Sequence, residues 1–411
     1  MSKNALLSQA AVETHEHYSA LTSRVRPFSE HPEEIRSPFM RDYTKILHSL
    51  AYRRLKHKTQ VFFNVSNDHI CTRIEHVSHV DSVSSIIAAY LGLNTELTRA
   101  IAIGHDLGHA PFGHQGEFIL KKFSKKHFGK NFWHEQNGLR FVDHIELLEN
   151  SRLQCKNLNL TYAVRDGIIC HCGEIDENQL FPRKELMDLS QITSPGEVQP
   201  ATWEGCVVKL SDKISYLGRD IADAITLGLL GDKELAVLSR VANFHGAEAI
   251  NTTVIINEMI MDVCQHSSIE KGITMSPEHM ALLNDIKKYN YEYIYENQRL
   301  APFRRYADLI LTEIFNALYE RYDGKNTICA LEQESHIYPL LMGEFAHWLG
   351  KYSTLDASAF SWGERMETRY VNEKIYGDLS DEKVYVQAIL DYLSGMTDGY
   401  AIRVFEELIS V

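Results

Sequence analysis

Histidine and carboxylate residues are concentrated in one short stretch of this sequence. The thirteen residues from His105 to Glu117 hold three histidines and two carboxylates, with Asp106, His109 and His114 as the other members. Histidine changes charge near neutral pH and is also the commonest protein ligand for metals. A cluster of this density is therefore typical of a site that binds a metal or moves protons, and is hard to explain by packing alone.

Four residues in this order predict a mononuclear metal site: His76, the adjacent pair His105 and Asp106, and Asp212. Two imidazoles and two carboxylates without a thiolate suit Mn, Fe, Co, Ni or Zn, and also Mg. Neighbouring helical residues diverge by about 100°, so His105 and Asp106 can hold one ion only near a helix end. Gly108 is predicted to provide that end. We expect one divalent metal per subunit.

Composition indicates an ordinary globular protein. The 411 residues are 44% hydrophobic and 24% charged, and the formal net charge is −13. This charge disfavours nonspecific binding to nucleic acid, which needs clustered positive charge. No apolar run approaches the ~18 to 20 residues that span a bilayer, and the first twenty residues carry no apolar signal core. We therefore expect a cytoplasmic protein without a membrane partner.

Two local features leave alternatives open. The basic run from Arg53 to Lys58 fits either the solvated end of a helix or a phosphate site, catalytic or regulatory. The trio Cys170, His171 and Cys172 fits either buried side chains or a metal or redox element. The seven cysteines are scattered and odd in number, which argues against a disulfide framework.

Hydrophobic periodicity predicts a mostly helical chain. Gly92 is a plausible stop for one helix, and Thr95 a plausible cap for the next. Strand signals are sparse, and the region after Leu331 is harder to interpret. The predicted helices span residues 43–55, 73–91, 96–107, 134–148 and 203–230, with a further helix from about Gln115.

The helix predicted over residues 203–230 has two faces. Its apolar stripe includes Leu210, Ile214 and Leu217, while Asp212, Tyr216 and Asp220 follow one another at helical spacing on a different face. One face can pack against the core while the other lines a site. The alternative for the polar face is plain exposure to solvent.

The sequence motifs around these residues resemble those of the deoxynucleoside triphosphate triphosphohydrolases, the dGTPase-like branch of the HD-domain phosphohydrolases. The resemblance covers about residues 24 to 411. A bare His-Asp pair would be weak evidence, but several motifs in the same order are specific to this family. They are Arg36–Asp42, Ile46–Phe62, Arg73–His76, His105–Glu117, Trp133–Gln136, Asp212–Tyr216 and Gly395–Asp398.

The resemblance implies a role for each matched residue. His76, His105, Asp106 and Asp212 correspond to the metal ligands, and Arg73 to an arginine that grips a substrate phosphate.

Catalytic roles are implied in the same way. His114 and Glu117 correspond to a dyad that orients or activates the attacking water, and His109 and His134 to histidines that face the α-phosphate and the leaving oxygen.

Substrate contacts are implied for four more residues. Lys213 and Tyr216 correspond to phosphate- and sugar-facing groups, and Gln60 and Asp220 to groups near the deoxyribose and its 3′-hydroxyl.

The implied fold is all-α: an HD-domain helical bundle with an additional C-terminal helical region. We expect an N-terminal segment over residues 1–35, a catalytic core over 36–230 and a C-terminal region over 231–411 that completes the fold and the oligomer contacts. The implied reaction is metal-dependent hydrolysis of a dNTP, most simply dGTP, to deoxynucleoside and inorganic triphosphate. The family also implies a homo-oligomer, and leaves open an allosteric nucleotide or single-stranded DNA as a further partner.

Two other functions compete with this expectation. Another HD phosphohydrolase, such as a nucleoside monophosphatase or a cyclic-nucleotide phosphodiesterase, would use the same metal ligands. A noncatalytic nucleotide sensor or nucleic-acid-binding oligomer is disfavoured by the intact ligand set. The residues that select guanine in this family do not form a transferable motif, so dGTP is a weaker expectation than dNTP.

Overall fold

The computed structural model describes residues 3–28, 33–63, 67–172, 178–244, 252–354, 360 and 362–410. Within these ranges the chain is predominantly helical, with two small two-stranded sheets, so the expected all-α class is confirmed. No helix in the described part of the chain combines the length and the apolar character needed to cross a membrane.

The helices, numbered in chain order, have the following bounds. They are α1 (Tyr18–Leu21), α2 (Pro38–His48), α3 (Leu50–Arg54), α4 (Arg73–Leu91), α5 (Thr95–Gly104), α6 (Gly113–Phe128), α7 (His134–Arg140), α8 (Tyr162–Cys170), α9 (Trp203–Thr226), α10 (Asp232–Phe244), α11 (Thr252–His266), α12 (Pro277–Tyr289), α13 (Ala301–Tyr319), α14 (Thr327–Glu334), α15 (Glu344–Tyr352), α16 (Gly363–Arg369), α17 (Glu382–Gly395) and α18 (Asp398–Ile409).

The strands are short and pair locally. Strand β1 (Leu147–Glu149) is antiparallel to β2 (Cys155–Asn157), with Leu148 opposite Lys156. Strand β3 (Gln179–Leu180) is antiparallel to β4 (Ile273–Thr274), with Leu180 opposite Ile273.

The chain forms two compact units, and each is assembled from separate stretches of sequence. The first unit contains residues 1–47, 60–106 and 160–302, and the second contains 48–59, 107–159 and 303–411. Each unit combines stretches from more than one of the three regions predicted from the sequence, and the boundaries of those regions remain a prediction.

Helices α4, α5 and α9 form the centre of the first unit. Thr72 and Glu75 cap the start of α4 reciprocally, and Gly92 ends the helix in a left-handed conformation with a φ of 82°. The side chain of Thr202 accepts a hydrogen bond from the amide of Gly205 at the start of α9. Val83, Ile87, Leu210 and Ile214 are among the side chains of α4 and α9 that are buried in the core. The predicted bounds of α4 are confirmed.

Several predicted helix bounds are wrong by three residues or more. The helix predicted from residue 43 begins at Pro38, and the helix predicted over 203–230 ends at Thr226. The cap of α5 is Asn94, whose side chain accepts hydrogen bonds from two amides, and α5 already ends at Gly104. The helix predicted over 43–55 is interrupted at Ser49, which caps α3. The helix from His134 stops being α-helical at Arg140, because the chain widens into a π turn and then enters β1. These ends depend on side-chain capping and tertiary packing, which periodicity does not report.

A buried ion pair lies in the second unit. The guanidinium of Arg140 donates to Asp391, with Nη2 2.7 Å from Oδ2, and the carboxylate is fully buried. The hydroxyl of Tyr376 and the amide of Gln387 donate to the same carboxylate, each at 2.8 Å. Because every acceptor side of Asp391 is used, α7 and α17 are held in one arrangement.

Gly108 tests how tightly this unit is packed. A Cβ at this position would lie 2.1 Å from both the amide nitrogen of Gly138 and the carbonyl oxygen of His134. We therefore expect Gly108→Ala to lower the free energy of unfolding by about 3 kcal/mol, since backbone atoms must shift to admit the methyl group.

Gly399→Ala is the matched control, because its added Cβ would meet only the side chain of Arg403 at 3.8 Å. It should change stability by less than about 1 kcal/mol. Urea unfolding followed by circular dichroism measures both variants, and equal midpoints would contradict the close packing at Gly108.

Candidate metal centre and histidine cluster

The four predicted metal donors lie together in the first unit. His76 comes from α4, His105 and Asp106 follow the end of α5, and Asp212 comes from α9. The Nε2 atom of His76 is 3.0 Å from Oδ1 of Asp212, and Nε2 of His105 is 3.8 Å from the same oxygen. Oδ1 of Asp106 lies 3.5 Å from Nε2 of His105. His76, His105 and Asp212 each offer an atom within 4.8 Å of the others and could hold a metal ion, and Asp106 does so with His105 and His171.

The hydrogen bonding of His105 fits a metal ligand. Its Nδ1 lies 2.6 Å from the carbonyl oxygen of Ala102, which fixes the proton on Nδ1 and leaves a lone pair on Nε2. Nε2 is buried and has no hydrogen-bond partner among the described residues. A buried nitrogen acceptor without a donor costs free energy unless a ligand occupies it, so the donor set fits a divalent cation.

The carboxylates and imidazoles shift each other's pKa values. Burial alone would raise the pKa of Asp212, but the hydrogen bond from His76 and the nearby imidazoles hold it well below its usual range. Burial opposes the charging of His76, yet Asp212 and Asp106 raise its pKa. Asp212 therefore stays ionised at neutral pH, as a metal ligand must.

A fifth candidate donor, His171, follows the end of α8. Its ring packs edge-on against His105 with centroids 4.9 Å apart, and it can share a metal-sized volume with His105 and Asp106. Its Nδ1 lies 2.6 Å from the carbonyl oxygen of Ile168, the same arrangement as in His105.

Sequence reasoning noted this histidine only as part of a Cys-His-Cys trio. The other two members are buried cysteines outside any disulfide. His171 is the member of the trio that lies beside the donors. All seven cysteines are free.

Arg73 is the most buried cation beside the donors, with 1% of its surface exposed. Its Nη1 donates to Oδ2 of Asp106 at 2.8 Å. Its Nε and Nη2 are buried and have no hydrogen-bond partner within the described chain. A buried guanidinium normally uses all of its donors, so two donors are left for an anion.

The predicted substrate-facing residues also belong to the first unit. Gln60 and Lys213 are buried, and the Oε1 of Gln60 has no hydrogen-bond partner among the described residues. Tyr216 packs against the core cluster one turn beyond Asp212. Asp220 is buried and accepts a hydrogen bond from Tyr295. On the polar face of α9, Asp220 is buried and Asp212 and Tyr216 are partly buried, so the alternative of plain solvent exposure is wrong.

The second unit holds the other predicted catalytic residues. The rings of His109 and His134 are stacked with centroids 3.8 Å apart. His114, at the start of α6, is exposed, and its ring centroid lies 6.3 Å from that of His109. Glu117 accepts hydrogen bonds from the His134 side chain, at 3.1 Å from Nδ1, and from the His134 amide.

The sequence paired Glu117 with His114, and the hydrogen bonds described here also join it to His134. Burial alone would raise the pKa of Glu117, but His134 and the neighbouring histidines, His114 among them, lower it. Glu117 is therefore an anion at neutral pH that orients the His134 ring through Nδ1.

Three side chains fix the loop that carries His109. The ammonium of Lys58 donates to the carbonyl of His109, and Nδ2 of Asn137 donates to the carbonyl of Gly108 at 2.7 Å. Oδ1 of Asp398 accepts from the amide of Phe112 at 2.8 Å. Phe112 adopts a left-handed conformation with a φ of 63°, which is costly for a bulky residue unless its surroundings hold it.

The members of the basic run have different surroundings. Lys58 is buried and bound to carbonyl oxygens, and Arg54 donates to Glu146 at 2.6 Å, while Arg53, Lys56 and His57 are exposed. The run is therefore not a uniformly solvated helix end, and the phosphate site stays a prediction. The sequence analysis missed Asn137 as a positioning residue. The one signal for it was its place directly after the Trp133–Gln136 motif.

The fold and the donor set are those of an HD domain. The HD domain family model matches residues 73–217, a range that begins at Arg73 and includes all four predicted ligands.

Curated relatives extend the similarity over nearly the whole chain. A deoxyguanosinetriphosphate triphosphohydrolase-like protein of Caldanaerobacter subterraneus subsp. tengcongensis is 31% identical over 94% of this chain and 89% of its own length. Proteins of the same description from Clostridium tetani and Desulfatibacillum aliphaticivorans are 31% and 35% identical, over 93% and 77% of this chain and 88% and 83% of their own lengths. The chain belongs to this family of deoxyguanosinetriphosphate triphosphohydrolase-like proteins, which confirms the resemblance seen in the motifs.

Asp220 makes stability depend on pH. Burial raises its pKa to about 7, although the hydrogen bond from Tyr295 and the charges of His76 and Arg73 oppose the shift. Because the folded pKa lies above the unfolded value of about 3.9, this carboxyl stabilises the fold fully below pH ~4, and that contribution is lost as the pH rises through 7.

Asp220→Asn should therefore gain stability relative to the wild type as the pH rises from 5 to 8, by about 3 kcal/mol, since ~1.4 kcal/mol accrues per pH unit up to the raised pKa. Thermal unfolding at several pH values measures the difference. Asp232→Asn, at an exposed position that begins α10, is the control and should show no such trend. A difference between Asp220→Asn and wild type that is independent of pH would contradict the raised pKa.

Proposed function

We propose that this protein hydrolyses deoxynucleoside triphosphates, with dGTP as the first candidate, to deoxynucleoside and inorganic triphosphate. The family relationship supports a phosphohydrolase of this type, since the relatives carry the name deoxyguanosinetriphosphate triphosphohydrolase-like protein. The proposal includes a homo-oligomeric assembly, which the family resemblance implies.

One observation carries the proposal: the pairing of Arg73 with the metal donors. A buried guanidinium with two unused nitrogen donors adjoins a carboxylate of a buried His/Asp set. Arginine binds phosphate with its parallel donors, and it does so more strongly away from water. Together these groups suit a phosphate ester whose charge must be offset inside a chain with a net charge of −13.

His76, His105, Asp106 and Asp212 would hold the metal, and His171 is a fifth candidate. A bound divalent ion supplies Lewis acidity toward a phosphoryl oxygen. Arg73 would bind a phosphate oxygen through Nε and Nη2, and the buried Lys213 would offset further charge on the triphosphate. These groups stabilise the charge that develops at the α-phosphorus.

The histidine cluster would handle protons. We assign His114 to the attacking water and His134 to the leaving 5′-oxygen, which needs a proton as the ester bond breaks. The hydrogen bond that His134 Nδ1 donates to Glu117 supports the second role, because it orients the His134 ring. His109 stacks on His134 and limits the orientation of that ring.

Product analysis tests the proposal directly. Each of the four dNTPs is incubated with the protein and Mn or Mg, and the products are separated by anion-exchange chromatography. Release of inorganic triphosphate and deoxynucleoside is expected. Orthophosphate from a deoxynucleoside monophosphate, with every dNTP left intact, would instead support the competing HD phosphohydrolases.

Asp212→Ala removes a carboxylate that lies within 4 Å of two imidazoles. It should lose bound metal and lower kcat by at least ~10²-fold. Metal content is measured by mass spectrometry after gel filtration. Asp223→Asn is the control on the same helix. The Asp223 carboxylate accepts a hydrogen bond from the amide of Cys71, so this variant should keep its metal content. Full metal content in Asp212→Ala would show that the ligand is misassigned.

The Glu117–His134 hydrogen bond predicts a particular pattern of kinetics. Glu117→Gln and His134→Ala should each lower kcat by about 10²-fold, the usual scale for lost acid or base help. Their double variant should be little worse than either, because the two residues act as a unit.

His114→Ala is the comparison, because it should lower kcat further in the Glu117→Gln background. The opposite pattern, with Glu117 and His134 additive but Glu117 and His114 not, would restore the dyad expected from the sequence.

Tyr216 and Asp220 would select the sugar. Tyr216 lies one turn beyond Asp212, and a buried 2′-hydroxyl without a partner would cost ~1 to 3 kcal/mol. We expect kcat/KM for dGTP to exceed that for GTP by ~10-fold or more, and Tyr216→Ala to reduce the ratio. Equal kcat/KM values for the two nucleotides in the wild type would refute sugar selection but not phosphohydrolase activity.

A further inference from the structure

Three stretches of the second unit meet at the carboxylate of Asp398, the first residue of α18. Its Oδ1 accepts a hydrogen bond from the amide of Phe112 at 2.8 Å. Its Oδ2 accepts one from the amide of Thr59 at 2.9 Å and another from the Thr59 hydroxyl. Only 7% of the surface of Asp398 is exposed. This residue therefore ties α18 to two parts of the chain that lie 286 and 339 positions before it.

The contact with Phe112 supplies what the start of α6 lacks. Phe112 occupies the position before the helix, where a polar side chain normally accepts from the first amides, and it makes no such bond. The first turn of α6 contains no acidic residue that would offset the positive end of the helix dipole. Asp398 brings both an acceptor and a negative charge to this helix start. It also helps to hold the left-handed conformation of Phe112, which a bulky residue keeps only where its surroundings support it.

The loop that Asp398 holds lies directly on the first turn of α6. A Cβ at Gly116 would be 1.8 Å from the carbonyl oxygen of Pro111, so the backbone of the loop leaves no room for a side chain there. His109 lies at the beginning of this loop, and His114 is the second residue of α6. The ring centroids of these two histidines are 6.3 Å apart. A shift at the end of the loop would therefore move His114 relative to His109.

Lys58 holds the other end of the loop. Its ammonium donates to the carbonyl of His109 and to the carbonyl of Ser394 in α17. A cation thus binds a carbonyl at the start of the loop, while the carboxylate of Asp398 binds an amide at its end. Because Asp398 is buried and both of its oxygens accept hydrogen bonds, it has one orientation and forms a rigid support.

We propose that Asp398 is a positioning residue for the proposed reaction: it sets the place of His114 relative to His109 and His134, and thereby sets kcat. This inference rests on the proposed function, because only in that reaction do these histidines move protons. Asp398 acts through the backbone of Phe112 and touches neither substrate nor metal. A mere helix cap in its place would contribute to stability and leave the catalytic step of the folded protein unchanged.

Asp398→Asn tests the inference, since the two side chains have nearly the same shape. The amide group accepts hydrogen bonds on one side only, so either Phe112 or Thr59 loses its acceptor. We expect kcat for triphosphate release to fall at least ~10-fold, because a misplacement of about 1 Å can cost ~10²-fold. KM should change less than about threefold, because binding of the substrate is retained. Metal content should match the wild type, since the predicted ligands lie in the first unit.

Two further measurements separate positioning from stability. Hydrogen–deuterium exchange of the metal-loaded full chain should be faster over residues 109–116 in Asp398→Asn than in the wild type. In the His114→Ala background, Asp398→Asn should lower kcat little further, because it acts through His114.

Asp381→Asn is the matched control. The exposed Asp381 makes the same kind of contact at the start of α17, where it accepts from the amide of Lys383 at 2.9 Å. This variant should leave kcat and the exchange over residues 109–116 unchanged. Thr59→Val is the second test variant if Asp398→Asn does not fold. It removes one donor to Oδ2 and should lower kcat about threefold, the scale of one lost hydrogen bond.

Two results would overturn the inference. The first is an unchanged kcat in Asp398→Asn, or in Thr59→Val where Asp398→Asn does not fold. The second is an equal fold loss of kcat with and without His114, which would show a purely structural role. Failure of the proposed function looks different, because the wild type would then release no triphosphate from any dNTP. Exchange over residues 109–116 would still respond to Asp398→Asn, and the catalytic purpose of that contact would fall with the reaction.

Discussion

The first unit depends on one constraint, that opposite charges are buried together away from solvent. Asp106, Asp212, Arg73 and His76 all lie largely inside the protein, where an unpaired charge costs several kcal/mol. Each is tolerable only next to the others, so α4, the end of α5 and α9 must meet at this point. The apolar stripes of the helices bring them together, and the charged groups fix which turns are in contact. Even so, Nε2 of His105 and two nitrogen donors of Arg73 have no hydrogen-bond partner among the described residues, and a bound ligand would satisfy them.

The second unit solves a different problem, the support of an irregular loop. The segment from Gly108 to Phe112 has no helix or strand to satisfy its backbone, and Phe112 is held in a conformation that glycine would adopt more readily. Lysine, asparagine and aspartate side chains replace the missing secondary structure, because they bind the carbonyls of Gly108 and His109 and the amide of Phe112. The Gly395–Asp398 motif lies far from this loop in sequence, and its Asp398 helps to hold the loop in place.

The sequence predicted those features that depend on residue type and local spacing. The bounds of α4 follow from its periodicity and the stop at Gly92, and the four predicted metal donors, chosen by chemistry and order, lie close together in the first unit. Features that depend on tertiary contacts were not predictable. The hydrogen bonds from His134 to Glu117 join residues of different elements, which sequence spacing does not report. His171 was hidden between two cysteines whose thiols are structural, and Lys58 looked like a solvent-facing cation until its two carbonyl partners were known.

The buried ammonium of Lys58 also constrains the order in which the protein can be made. It binds the carbonyl of Ser394 at 2.7 Å, and these two residues are 336 positions apart in the chain. A polypeptide emerging from the ribosome has Lys58, His109 and Asn137 available early, but Ser394 and Asp398 only much later. Contacts of such long range form late and slowly. The nascent loop of His109 is therefore held only by Lys58 and Asn137 until Asp398 emerges to bind the amide of Phe112.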